Sequence, residues 1–581
     1  MSDAHTRYDV VIGGGGLAGL TLGRQLSMYA PQLSIAIVDR LSRPLPEAAF
    51  KVGESTVEIG AHYYGAVLKL SSYLAERHLP KFGLRYFMGS GALPLNERSE
   101  FGPDGALPTP TYQLDRGRLE NDLRQMIVDA GVTLYEGHDL ADVRIDADED
   151  HVVSIVRVSD RAPRTLRCRW FVDASGRRRL LHSKFKLSKE SPHKASGAWF
   201  RMDGRLDVED LVGPEHTEWH QRVPHRMRYL STNHLTSTGY WVWLIPLSSG
   251  ATSIGIVTDE RIHPCHTYSS PDKALRWLAD HEPHLAEYLR GRPFVDFKAL
   301  RHYSYLTTHA YSVDRWACVG EAAAFIDPLV SPGSDMIAIG NLITQELITR
   351  DFRGALTPSI VSGFDRFFCG FVETFLIGYT GRYPLLGTPR VFREKFLWDA
   401  CTYWAWPARL VCGGLITRHD LLPQLVSRGA AFSRLHARVQ DLFSDWAAAK
   451  PGVTDFDFVP PNAIPYIKHL QADLLRERSP EQWLASIAYD FDRFEELAIH
   501  LFFTALGEVH PHLLARFDEP RWVNAWAIGL DPARWRADGL FHPPTPPRSL
   551  EPIAAITSAP RRRDRHEDRR SASPHASAAQ L

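Results

Sequence analysis

The chain has 581 residues, and its 67 Lys and Arg against 68 Asp and Glu leave a formal net charge of −1, with 44% apolar and 23% charged residues. These are the proportions of a soluble globular protein with chain enough for two or three folding units, and the near-neutral balance excludes a nucleic-acid binder, which needs a basic excess. Six cysteines (Cys168, Cys265, Cys318, Cys369, Cys401 and Cys412) without any C-x-x-C pairing exclude a zinc ribbon or disulfide framework and predict a reducing, cytoplasmic location.

The polar start leads straight into an apolar run, Tyr8 to Ile12, a pattern that predicts no targeting segment. Gly13 to Gly19 is a glycine loop, Leu20 to Tyr29 suits a helix, and Ser34 to Val38 is a second apolar run ending at Asp39. This order predicts strand, turn, helix and parallel strand, buried on both faces. Gln113 to Ala130 is helical in pattern and Val132 to Tyr135 strand-like, while His151 to Val158 and Leu166 to Val172 read as paired strands. Strand-like segments recur between Ala195 and Val257, among them Gly239 to Pro246 and Thr252 to Val257. From Ile337 to Leu540 long helical segments rich in aromatics take over. Arg382, Arg390, Arg409 and several prolines interrupt their apolar stretches, so no membrane span is predicted. The last forty or so residues, rich in Pro, Ser and Arg, predict a disordered tail.

Gly14, Gly16 and Gly19 form G-x-G-x-x-G between a predicted strand and a predicted helix. The first glycine permits the tight turn, the second the approach of a pyrophosphate, and the third close helix–strand packing. Asp39, 20 residues after Gly19 at a strand end, suits the hydroxyls of an adenosine ribose. Two later strands end in an acid beside small residues, Phe171-Val-Asp173-Ala-Ser-Gly and Trp316-Ala-Cys-Val-Gly320-Glu321. Such returns resemble the glutathione-reductase-like flavoproteins, which assemble one FAD site from distant pieces. The resemblance implies FAD, with Asp173, Gly320 and Glu321 among its contacts.

Three more segments resemble the flavin-dependent halogenases. They are Trp241-x-Trp243-x-Ile245-Pro246, the Phe325-Ile-Asp-Pro328-Leu-Val-Ser331-Pro-Gly333 segment, and the strap Phe50-Lys-Val-Gly-Glu-Ser-Thr. The resemblance spans residues 8 to 350. It implies that reduced FAD and oxygen oxidise a halide to hypohalous acid, and that a lysine directs this oxidant at an electron-rich carbon. Pro80-Lys81-Phe-Gly83 and the residues to Gly89 match the lysine segment of the phenol- and pyrrole-type members, which makes Lys81 the expected catalytic residue. Trp241 and Trp243 would screen flavin from substrate. Lys51, Val52, Gly53, Glu54, Ser55, Arg118 and Pro328 are the remaining cofactor contacts, and Ser331, Gly333 and Ser334 the halide site.

Two departures shape the reading. Indole-type members place a glutamate where this chain has Val330, which points to activated phenols or pyrroles. Pro332 follows Ser331 and has no N–H for a halide, leaving Gly333 and Ser334 as donors.

The predicted architecture is α/β: a discontinuous glutathione-reductase-like FAD-binding Rossmann domain (1–185 and 300–350), an inserted mixed β-sheet region on the substrate side (186–299), a mostly helical C-terminal region (351–540) and a tail (541–581). No metal site is expected, since the histidines lack ligand spacing. The implied partners are an electron-rich aromatic molecule, free or on an acyl or peptidyl carrier protein, and a separate flavin reductase. The alternatives are a halogenase-like FAD-dependent monooxygenase or oxidoreductase that uses no halide, and, least favoured, a flavin-binding scaffold.

Overall fold

The computed structural model describes residues 6–46, 51–454 and 456–558. β1 (Thr6–Gly13) runs through the glycine loop into α1 (Leu17–Tyr29) and β2 (Ile35–Val38). The helix starts three residues before the expected Leu20, directly at the loop. α2 (Glu58–His62) and β3 (Leu84–Met88) carry the chain to a second sheet, and α3 (Arg116–Asp129), β4 (Thr133–Tyr135) and β5 (Pro163–Asp173) bring it back. β6 (Ala195–Met202), β7 (Thr232–Ser237), β8 (Tyr240–Pro246), β9 (Thr252–Asp259) and β10 (Phe294–Leu300) build most of the second sheet, and β11 (Trp316–Cys318) returns to the first. Helices follow: α4 (Gly333–Phe352), α5 (Pro358–Ile377), α6 (Pro389–Tyr403), α7 (Leu422–Ala449), α8 (Pro480–Val509) and α9 (Glu551–Thr557).

The first sheet has the order β11-β5-β1-β2-β4, and every neighbouring pair in that run is parallel. Val10 to Ile12 of β1 and all of β2 are buried, as expected for parallel strands covered on both faces. His151–Arg157 pairs antiparallel with the first half of β5.

The second sheet runs β10-β6-β9-β8-β7-β3, then Ser99–Phe101 and Phe458–Val459. It is mixed, since β3 lies parallel to β7 among antiparallel neighbours. Along β8 alternate side chains enter different cores. Tyr240, Val242 and Leu244 face a smaller apolar cluster, whereas Trp241, Trp243 and Ile245 face the main one.

Two expected boundaries are corrected. Residues 84–101, counted with the cofactor domain, pair into the second sheet, with Asn233 opposite Arg85 across some 150 positions of sequence. Part of the tail is also folded. α9 places Ile553 in the core at 0% exposure, and Arg548 before it donates to Glu495 of α8 at 2.7 Å. Residues 559–581, including the basic run from Arg561, lie outside the described residues, as does Phe50 of the strap. Among the described residues no helix is long and apolar enough to cross a membrane.

Candidate active site: two cavities and their shared wall

The glycine loop opens onto a cavity of about 350 Å³. Gly14 has φ +130°, and a Cβ there would strike the carbonyl of Ala174 at the end of β5. A Cβ on Gly19 would strike the Gly14 carbonyl, so the two glycines let strand, loop and helix close on one another. Gly16 is the N-cap of α1; it supplies no side-chain cap, and nothing lies within 4 Å of where its Cβ would be. Gly16, Leu17 and Ala18 at this uncapped helix start line the cavity, an arrangement that suits phosphate. Asp39 sits against Gly15 and is paired with Arg124, which also donates to the Gly15 carbonyl at 2.9 Å.

The strap residues Lys51 to Ser55 line the same cavity, with Gly320, Glu321, Pro328, Ser331, Gly333, Ser334, Trp241 and Trp243. Burial lowers Lys51 to about 7 although it pairs with Glu120. Glu54 is held by Arg201, whose Nε donates to it at 2.9 Å. Ser331 donates to Ser55 at 3.0 Å and so ties the strap to the start of α4. Ser331 adopts φ +61°, a left-handed conformation costly for a non-glycine residue. It turns the chain so that Pro332 becomes the N-cap of α4. The uncapped N–H groups of the first turn are then those of Gly333, Ser334 and Asp335. The missing N–H of Pro332 is thus not one of the first-turn donors. The Ser334 hydroxyl, buried on the cavity, has no protein partner.

Two expected contacts fall elsewhere. Asp173 does not line the cavity; its carboxylate accepts from the backbone N–H of Ser175 (3.0 Å) and Leu181 (2.8 Å) and fixes the turn after β5. Arg118 points away, donating to Ser248 at 3.0 Å, because positions two apart on a helix lie on opposite sides. The arginine at the cavity is Arg116, which donates to the Val52 carbonyl at 2.7 Å and to Glu120 at 2.7 Å.

A second cavity of about 410 Å³ lies among α5, α6, α7 and the strands beside them. Phe367, Phe371, Phe375, Phe392, Phe396 and Trp404 give it aromatic walls. Its polar groups are largely committed. Lys395 pairs with Asp399 and donates to Gln440 at 2.9 Å. The Trp398 indole donates to His436 Nδ1 at 3.0 Å, which puts the imidazole proton on Nε2. Burial drops His436 to about 3, so the ring stays neutral. The Tyr86 hydroxyl is buried without a partner, and the Trp404 indole N–H faces the Glu58 carboxylate.

No residue lines both cavities, and one segment separates them. Pro328 and Ser331 to Ser334 face the glycine-loop side, whereas Leu329, Val330 and Asp335 face the aromatic side. Behind this segment an aromatic row continues the wall. Trp243 lies 5.6 Å from Trp241, Trp241 lies 5.4 Å from His234, and His234 stacks on Tyr86 at 4.6 Å. Trp241 donates to Tyr383 at 2.9 Å, and Tyr383 in turn bonds Asp327.

Lys81 lies in this wall and lines neither cavity. It is 5% exposed, and its Nζ donates to the Thr56 carbonyl at 2.7 Å. Burial lowers it to about 7, against the pull of Glu58 and Asp335. Asp335 is pushed up to about 8 by burial, despite hydrogen bonds from the Gly60 N–H and the Tyr403 hydroxyl, each 2.8 Å. Burial also raises Glu58. Lys81 in turn helps hold His234, on the other cavity, down to about 3, after burial itself.

Sequence reasoning missed Arg116, Glu58, Asp335 and the Asp327 cluster. Asp327 accepts from His193 at 2.6 Å and Tyr303 at 2.7 Å. Burial works to raise it, but the bonds from His193, Tyr383 and Tyr303 outweigh that and hold it below the ordinary carboxylate range. Asp327 stands inside the quoted Phe-Ile-Asp-Pro run, yet partners at 193, 303 and 383 leave no local signal. Among the described residues no group of three or more His, Cys, Asp or Glu is arranged for a metal ion.

The glycine-loop cavity fits FAD. Uncapped helical N–H groups suit the pyrophosphate, and the buried Ser334 hydroxyl and Trp199 indole N–H offer donors on the same lining.

A family model described as tryptophan halogenase matches residues 102–351. The flavin-dependent halogenase chlA of Dictyostelium discoideum is 29% identical over 363 residues, 57% of this chain and 58% of that protein. The 1H-pyrrole-2-carbonyl-[peptidyl-carrier protein] chlorinase of Pseudomonas fluorescens is 27% identical over 368 residues, 58% of this chain and 76% of that protein. This chain therefore spans less than two thirds of the Dictyostelium relative. In fold it is similar to the crystal structure of halogenase PltM, with TM-score 0.62 and 16% identity over 83% of this chain and 96% of that one.

Proposed function

We propose that this chain, which is similar to the flavin-dependent halogenases, is a reduced-FAD- and oxygen-dependent halogenase acting on an electron-rich aromatic molecule of the phenol or pyrrole type. The observation that carries the reading is the position of Lys81 in the wall between a cavity built for a dinucleotide and a cavity built for an aromatic guest. FAD, when bound, supplies the oxidation of halide to hypohalous acid. Gly14, Gly16 and Gly19 with Asp39 hold its adenosine diphosphate end, and Lys51 to Ser55, Arg116 and Glu321 surround the rest. The free N–H groups of Gly333 and Ser334, beside Ser331, hold the halide at the start of α4.

Trp241 and Trp243, locked by indole hydrogen bonds to Tyr383 (2.9 Å) and Ser253 (3.1 Å), keep the aromatic guest off the cofactor side. That separation disfavours direct oxygenation of the guest. Lys81, desolvated and balanced near neutrality, captures or orients the oxidant as it crosses the wall. Val330 on the aromatic side fits guests that need little activation. A separate reductase supplies reduced FAD, and the similarity to a carrier-protein chlorinase makes a carrier-bound pyrrolyl thioester part of the substrate panel.

The test is a reaction of the protein with reduced FAD, oxygen and bromide or chloride on phenols, pyrroles and that thioester, read by mass. Halogenated product is expected, and Lys81→Ala should lose at least roughly 100-fold of it while binding FAD as before. Unchanged turnover without any halide would favour the alternative of a monooxygenase or oxidoreductase that does not use halide. Equal product from Lys81→Ala would remove Lys81 from the mechanism.

A further inference from the structure

Glu58 is one of the acids that line the aromatic cavity. It opens α2, only two residues after the strap, is 5% exposed, and lines the aromatic cavity beside the wall that holds Lys81. Three other acids line that cavity, and each is paired: Glu373 accepts from Lys189 at 2.6 Å. Asp335 accepts from the Gly60 N–H and the Tyr403 hydroxyl, one on each oxygen. Asp399 pairs with Lys395 and accepts from Gln440 at 2.7 Å. Around Glu58 stand Lys81, Asp335, Tyr403, Cys412, the Trp404 indole and the Gln471 amide. Val330, the wall residue nearest in role, is apolar and can take no proton.

We propose that Glu58 is the base of the halogenation step, taking the ring proton that the aromatic substrate loses as the carbon–halogen bond forms. The inference rests on the halogenase reading above and names the group it leaves unassigned. A ring π pair attacks the halogen of hypohalous acid, the carbon–halogen bond forms, and the halogen–oxygen bond breaks with its pair on oxygen. That oxygen leaves as water with a proton from the Lys81 ammonium. The C–H pair returns to the ring and its proton passes to the Glu58 carboxylate. The ring carbon is oxidised and the halogen reduced, and one proton transfer from Glu58 to Lys81 resets both groups. Burial raises the Glu58 carboxyl, and a carboxylate so raised is a stronger base than an ordinary one, which suits this task.

The test compares the wild-type protein with Glu58→Gln and Glu58→Asp, using a phenol with hydrogen or deuterium at the halogenated carbon. In the wild type, proton loss follows slow carbon–halogen bond formation, so the isotope effect on turnover is expected near unity. In Glu58→Gln turnover should fall roughly 100-fold or more and a primary isotope effect should appear, because proton loss becomes limiting. Glu58→Asp should recover part of the rate and lose part of the isotope effect. The affinity of the flavin-free protein for the phenol, followed by tryptophan fluorescence, should change little in either variant. Oxidant trapped by a 1,3-dicarbonyl scavenger should still form.

An isotope effect still at unity in Glu58→Gln, whatever the fall in turnover, would overturn the proposal, as would loss of trapped oxidant. A wild-type protein that gives no halogenated product from any substrate would instead overturn the halogenase reading, and the base would fall with it.

Discussion

Asp335 carries an unusual proton. In the unfolded chain it ionises in the ordinary carboxylate range near 4, whereas in the fold burial pushes it up to about 8. Between those pH values the folded state holds a proton that the unfolded state has released, so this group's contribution to stability falls as pH rises through the window, by at most about 1.4 kcal/mol per unit. Asp335→Asn has no such proton to hold. Its stability relative to the parent should therefore rise from about pH 4 to pH 8, seen as a growing difference in Tm; a flat difference would show that Asp335 ionises normally. Lys81 was legible as a residue type inside a matching segment. Its neighbours were not, because Glu58, Thr56 and Asp335 are brought to it from a short helix, a strap and the start of a long helix. Arg118 failed for a simpler reason: a motif gives a neighbourhood on a helix, and only the helical phase decides that Arg116 is the residue turned inward.

At the scale of elements, the W-x-W-x-I alternation of β8 was readable as strand periodicity, and the structure gives each phase its own core. The partner strand was not readable. Gly255 of β9 lies opposite Trp243, and a Cβ there would collide with the indole ring. Gly255→Ala should destabilise the protein by about 1–3 kcal/mol through overpacking, and a smaller residue at 243 should restore part of the loss. A thermal melt of the single and double variants measures both; additive losses would mean that the two positions do not touch. The strand order itself escaped, since β3 reaches β7 across the intervening α/β segment and only the paired register reveals it. Buried Arg85 and Arg228 both clasp Glu100 there, a polar join that composition cannot announce.

Over the whole molecule, the parallel sheet, the second sheet and the helical half were visible as changes of hydrophobic period along the chain. The expected tail was misjudged because prolines and serines dominate its composition, while two residues do the anchoring, Ile553 in the core and Arg548 against α8. Ile553→Ala should cost about 2–5 kcal/mol and lower the denaturation midpoint, and an unchanged midpoint would mean that α9 adds nothing to the fold.

The wall formed by residues 328–336 bears on how such chains diversify. Its positions are shared out between two chambers, Leu329 and Val330 to one, Pro328 and Ser331 to Ser334 to the other. Variation in α5, α6 and α7 and at those two loop sites can retune the guest while leaving the glycine-loop chamber as inherited. Selection on one trait then leaves little mark on the other, so relatives of this chain should differ most where their helices meet the guest and least around the nucleotide cradle.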